Sequence, residues 1–250
     1  MSHPSPYAVL DAPDWNISKV DGDPTAGKIR YVKDDWTLRV NWRRSDFYDS
    51  YLNNRRGISE TTTVTLFDKD AESWAYHEHD HTVMRPVEGE TFLEVRGEGM
   101  DRAAFFDLLA RLRQVDADQF EARLPASVVR PQQLAAAVTA LLTGVQTPDG
   151  FDVSTIQIPP YQEPYHLAAH VTGQVACAWI NQYATARSLG DAVSRQRAVE
   201  AMEASRTWPV LRDIQHEGGW ADEFWLVADD MAAGQPPEGM HGRICLTAST

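Results

Sequence analysis

The 250-residue chain has few cysteines, few lysines and no long apolar run, and each scarcity removes a class of protein. Two cysteines, Cys177 and Cys245, cannot build a cysteine-rich scaffold or a four-thiolate zinc site. No window approaches 18 uninterrupted apolar residues, and the first thirty positions show no basic flank followed by an apolar stretch. Nothing within this sequence is therefore expected to enter a membrane or to direct export. Lysine and arginine number 23 against 36 acids, a net charge of −13, and only 4 of those bases are lysine. The densest basic spots, Arg43-Arg44 and Arg55-Arg56, are short pairs beside acids, which argues against nucleic acid as a partner. Nucleophile and phosphate signals are missing too. There is no Gly-x-Ser-x-Gly and no phosphate loop, and Gly97-Glu-Gly99 runs into Met100-Asp-Arg102 rather than the third glycine of a dinucleotide site.

What is present suffices for a full core: 43% apolar residues, 10% aromatics and eight tryptophans. The tryptophans are expected in that core, with any exposed one free to stack on a sugar or an apolar ligand. The two prolines within residues 2–6, and the absence of periodicity up to residue 14, predict a disordered arm or an artificial start over 1–14. From residue 15 to about 100 the pattern is that of strands: Trp15–Val20, Lys28–Val32, Trp36–Trp42, Thr61–Phe67, Ser73–Val83 and Thr91–Val95. In the third, Trp36, Leu38, Val40 and Trp42 alternate with Thr37, Arg39 and Asn41, the period of a half-buried strand. Turn residues at Gly22-Asp-Pro24, Lys33-Asp-Asp35, Asp68-Lys-Asp70 and Glu88-Gly-Glu90 predict antiparallel meanders.

After Gly99 the period becomes helical. Phe105, Leu108, Leu109, Leu112 and Val115 predict a helix over 101–115. Asp116 with Gln119 reads as a capping box, and Leu134, Val138, Leu141 and Leu142 form a further stripe closed by Gly144. The breaker-poor run from Pro164 to Gly190 predicts the central helix. Asp191 caps the next, Pro209 ends or kinks it, and Trp220–Met231 forms the last. Pro148-Asp-Gly150 and Pro159-Pro160 are the expected hinges, with Phe151–Ile158 a candidate edge strand. Strands first and helices afterwards predict an α+β fold: an antiparallel, curved sheet over 15–100, a helical part over 101–235 packed on it, and a tail over 236–250.

The most pointed local feature is Tyr76-His-Glu-His-Asp-His-Thr82. If extended, it puts His77, His79 and His81 on one face at steps of about 6.8 Å, and histidines so spaced ligate zinc through ring nitrogens. His166 and His170, four apart on the central helix, are the candidates to complete such a site and leave a position for an activated water. The segment resembles the metallo-β-lactamase pattern His-x-His-x-Asp-His but is one residue short, so that family's ligand roles do not transfer. The competing reading is a polar edge strand whose histidines face solvent. Cys177 and Cys245 allow one disulfide, set against two unrelated thiols. The paired carboxylates Asp34-Asp35, Asp229-Asp230 and Glu78 with Asp80 read as solvated faces rather than acid and base.

Thr91-Phe-Leu-Glu-Val-Arg-Gly97, Met100-Asp-Arg-Ala-Ala-Phe-Phe-Asp-Leu-Leu109, Val171-Thr-Gly-Gln-Val-Ala-Cys-Ala-Trp179 and Trp208-Pro-Val-Leu211 resemble segments of uncharacterised envelope proteins of high-GC Gram-positive bacteria. The likeness spans residues 15–235. Those proteins have a short cytoplasmic tail, one membrane helix and a soluble outer domain, so the resemblance implies an excised outer domain of the cell envelope and no catalytic motif. The sheet-then-helix order is also similar, more faintly, to lipoprotein-carrier-like sensor domains. The leading expectation is a non-enzymatic, extracytoplasmic binding or sensing domain without a cofactor, whose partner is a small molecule or a protein. The alternatives are a zinc-dependent hydrolase using His77, His79 and His81, and a cytoplasmic interaction protein.

Overall fold

A computed structural model describes residues 5–245. It has the expected α+β order, an antiparallel sheet that is not closed on itself followed by a helical half. The chain divides into two compact units: residues up to Arg130 together with Pro159–Glu163, and Pro131–Ile158 together with everything from Pro164 onward. Pro159-Pro160, an expected hinge, stands at one of these crossings.

The first unit contains β1 (Ala8–Leu10), β2 (Asn16–Gly22), β3 (Gly27–Lys33), β4 (Trp36–Arg44), α1 (Tyr48–Arg56), β5 (Thr62–Leu66), β6 (Lys69–His77), β7 (Asp80–Glu88), β8 (Thr91–Glu98), α2 (Arg102–Leu109), β9 (Leu112–Gln114) and α3 (Ala117–Arg123). Seven strands form one antiparallel sheet in the order β2-β3-β4-β8-β7-β6-β5. One face carries the core: Ile29, Tyr31, Leu38, Val40, Trp42, Val83 and Val95 lie under Phe105, Leu108, Leu109 and Phe120. Gly97 makes room for this, because a Cβ there would stand 2.4 Å from a ring carbon of Phe105.

Four expectations are corrected. Residues 1–4 lie outside the described ones, but the rest of the supposed arm is built in: Ala8–Leu10 pair with Leu112–Gln114, and Tyr7, Val9 and Leu10 are buried. That pairing also ends the helix predicted over 101–115 at Leu109, since Leu112 takes its place opposite Leu10 in a strand. A long-range partner here outweighs the helical period. The strand predicted over Ser73–Val83 is two strands joined at Glu78-His79, with His77 paired to Asp80. Phe151–Ile158 supplies no strand; Val153–Thr155 is a single 3-10 turn capped by Asp152. Helix α1 has no sequence forecast because its only buried residue is Leu52, too little for an apolar stripe.

The second unit is helical: α4 (Leu134–Leu141), α5 (Pro164–Leu189), α6 (Ala192–Ala204), α7 (Pro209–Ile214), α8 (Trp220–Ala232) and the single turn α9 (Glu238–Met240). The terminators are those the sequence names. Gly144 and Gly190 adopt φ of +75° and +70°, and Asp191 accepts from the amides of Val193 and Ser194 at 3.1 and 3.0 Å. Pro209 is the exception: expected to end or kink α6, it stands in the first turn of α7, and α6 stops earlier, at Ala204. Helix α5 buries Val175, Ala176, Trp179, Ile180 and Tyr183 against Met202, Leu211, Phe224 and Val227. Among the described residues no helix is long and apolar enough to cross a membrane.

Residues 159–163 strap the first unit. Gln162 exchanges backbone hydrogen bonds with Val129, Tyr161 bridges Gly22, and Glu163 accepts from the Val20 amide at 3.2 Å. Tyr161 enters an aromatic box with Tyr7, Phe120 and Trp42, and its hydroxyl donates to Glu121 at 3.1 Å. Burial raises the phenol pKa values of Tyr7, Tyr31 and Tyr161, that of Tyr31 to about 12. Each proton is held more tightly in the folded chain than at the ordinary value near 10. Stability is therefore full below pH 10 and falls as pH rises from about 10 through 12. Tyrosinate absorbance and circular dichroism followed together should show these phenols ionising with unfolding. Ionisation near pH 10 with the fold intact would contradict the burial.

Candidate functional site

The sheet's second face is where chemistry-bearing side chains gather. Alternation sends Lys28 and Arg30 of β3, Thr37, Arg39, Asn41 and Arg43 of β4, and Glu94, Arg96 and Glu98 of β8 to this side, with Asp80 and Thr82 of β7 beside them. Helix α1 covers one part, with Leu52, Tyr48 and Tyr51 on Trp74, Met84 and Phe92. Under that cover Glu94, 4% exposed, receives Arg43 at 2.8 Å and Arg55, and both guanidiniums lie over the Tyr51 ring, at 4.6 and 4.9 Å. The basic pairs seen in the sequence thus divide their labour. Arg43 and Arg55 turn inward to Glu94, while Arg44 and Arg56 take the outer acids Asp46 and Glu72 at 2.6 and 2.9 Å.

Beyond α1 the face is open, and register aligns its cations. Arg30 stands directly opposite Arg39, and Arg39 directly opposite Arg96, across three neighbouring strands; Lys19 of β2 faces Arg30 on the far side. The next row holds Glu98 and Asp80. Arg96 grips Asp80 through two nitrogens and reaches Glu98 at 3.4 Å, while Arg39 binds the other oxygen of Glu98. The ion pair with Asp80 raises the pKa of Arg96 further. Arg96 also lies 4.5 Å over the ring of Tyr76, which is 38% exposed. Arg30 has no acid partner among the described residues.

The histidine ladder does not survive as a ladder. His77 ends β6, His79 sits in the two-residue turn and His81 is the second residue of the return strand β7, so the three share no face of one extended strand. His77 is exposed, its Nε2 3.8 Å from Asp80. His81 is buried on the core side, stacked on Phe105 at 5.7 Å, with Nε2 at 3.0 Å from the Glu78 carbonyl. His79 is exposed, and its amide donates to Nδ1 of His77. His166 and His170 lie on α5 in the other unit. His166 stands edge-on to Tyr165, and His170 meets the Gln157 carbonyl, with burial holding its pKa below the ordinary imidazole value. Among the described residues no three histidine, cysteine or carboxylate side chains converge as a metal would require. The missing convergence has a local cause: a hairpin turn at Glu78-His79 breaks the period of two on which the zinc geometry depended.

Asp229 and Asp230, paired in the sequence, are separated in use, one on Arg206 at 2.7 Å and the other on Arg243 at 3.0 Å. Trp42, Trp74, Trp179 and Trp208 are fully buried, whereas Trp36 is exposed beside Trp15. Cys177 on α5 and Cys245 stand at bonding distance with Cα atoms 5.4 Å apart, forming a bridge across 68 residues.

The residues of this candidate face that sequence reading missed are Arg30, Arg39, Glu94, Arg96 and Glu98. The alternation in β4 flags Arg39, but the row itself exists only through strand pairing between segments up to about sixty residues apart. Comparison with known protein families, with curated proteins and with solved structures finds no match to this chain.

Proposed function

We infer that the chain is a non-enzymatic binding or sensing domain that works outside the cytoplasm. The observation that carries this reading is the Cys177–Cys245 bridge, since such bonds persist in oxidising compartments and are reduced in the cytosol. It ties the middle of α5 to Cys245, the last described residue. The open polar face of the sheet supports the binding role. Its charged side chains are fixed to one another and turned to solvent, which is how a surface is prepared for a ligand rather than for folding. The sequence resemblance to outer domains of envelope proteins agrees with this placement.

A thiol count on denatured, non-reduced protein from oxidising expression is expected to give no reactive thiol; two would overturn the extracytoplasmic assignment. Closing a 68-residue loop is worth about 4 kcal/mol in the chain-entropy model. Replacing both cysteines by serine should therefore lower stability by about 2–5 kcal/mol, read by urea denaturation. A thermal-shift screen of small molecules should find at least one that raises the melting temperature, because a ligand of the native state stabilises it by mass action.

A further inference from the structure

We propose that Arg30, Arg39 and Arg96, aligned across β3, β4 and β8, bind a tetrahedral oxyanion, a phosphoryl or sulfate group. This rests on the binding-domain reading and gives that domain its ligand chemistry. Like charges directly opposite on neighbouring strands destabilise a sheet, and here two such pairs follow one another, with Lys19 extending the row. The chain as a whole has 23 bases against 36 acids. On the open part of this face five cations, Lys19, Lys28, Arg30, Arg39 and Arg96, stand with three carboxylates, Asp21, Asp80 and Glu98. The excess is local and positive on a strongly acidic protein.

The arginines differ in what holds them. Arg85, elsewhere on β7, is buried and committed to the protein: it donates to the carbonyls of Leu66 and Phe67 and to Glu88. Arg39 and Arg96 are pinned by Glu98 and Asp80 but remain about a third exposed, which pre-orients their forks without closing them. Arg30 is half-buried with no acid of its own, and Nε of Arg39 is buried without an acceptor. Such a row is poorly satisfied by the protein itself. A carboxylate offers two oxygens in one plane and fills one fork. Adjacent strands lie about 4.7–4.9 Å apart, so neighbouring guanidiniums reach one ligand from two directions, which suits the oxygens and double charge of a tetrahedral dianion. Tyr76, under Arg96, forms a flat wall beside it.

The test titrates inorganic phosphate and sulfate into the full chain by calorimetry, with ionic strength held constant by chloride. Vesicles containing phosphatidic acid, whose headgroup is a phosphomonoester, against phosphatidylcholine alone, form a second arm that separates a lipid headgroup from a free oxyanion. Saturable binding is expected, weakened about tenfold in Arg30→Gln, whose melting temperature in chloride is not lowered, since one like-charge pair is relieved. Glu98→Gln, which removes a competing carboxylate, is expected to tighten it. Response to the anionic vesicles alone, lost in Arg30→Gln, assigns the phosphoryl group to a lipid and keeps the row as its site. No response in either arm, or one unchanged in Arg30→Gln, overturns the proposal. If phosphate is silent while another compound raises the melting temperature and the thiols are bonded, the binding-domain reading stands and the oxyanion alone falls. Two free thiols would remove the outer location and leave a phosphate result untouched.

Discussion

Replacing Glu94 by alanine should lower stability by about 3–5 kcal/mol, the cost of leaving the largely buried Arg55 without its counter-ion. Glu94 is 4% exposed and takes both Arg55, whose side chain is 12% exposed, and Arg43. Without it, two guanidiniums are left close together at the Tyr51 ring, with Nε of Arg55 already lacking an acceptor. The loss should appear as a lower urea midpoint with an unchanged slope. Arg56→Ala on the same helix removes an exposed pair with Glu72 and should cost less than about 1 kcal/mol. Equal losses in the two variants would mean that water reaches Glu94 and that α1 does not seal the ion pair.

The second large effect is expected at Trp179. It is fully buried in the middle of α5, and its indole nitrogen donates to the Gln146 carbonyl at 2.9 Å. Trp179→Ala removes a large core side chain and leaves that carbonyl without its donor, for a loss of about 3–5 kcal/mol. Trp179→Phe keeps most of the packing and forfeits the hydrogen bond, so the smaller part of the loss belongs to it. Urea denaturation of the two variants separates the contributions. If phenylalanine costs as much as alanine, the indole hydrogen bond rather than the volume secures the segment before the central helix.

The helical half was legible because its signals are local. Asp116 with Gln119, Gly144, Gly190 and Asp191 each act within a turn of their own position, and each does what its chemistry dictates. The strands were legible where alternation was undisturbed, as in β4, and misread where a turn lacked the usual residues. Glu78-His79 contains no glycine, proline or asparagine, and the hairpin there is fixed instead by pairing of His77 with Asp80 and by Arg96 holding Asp80 from the neighbouring strand. The same reason hid β1 and β9, three residues each, whose partner lies about a hundred positions away. The candidate site was the least legible part. Arg30, Arg39 and Arg96 are unremarkable in sequence and become a row only when the β3–β4 hairpin and the long-range pairing of β4 with β8 set their register.

The strap at Pro159–Glu163 bears on how this chain is made. Trp42, Tyr7 and Phe120 leave the ribosome well before Tyr161, with α4 and its flanking turns synthesised in between. Until that short segment emerges, one side of the nascent sheet lacks its last aromatic neighbour and the Val20 amide lacks its acceptor. Dissection by a single cut after Arg130 recreates that unfinished state permanently, whereas an internal deletion joining Arg130 to residues 159–163 would keep the strap with the sheet unit.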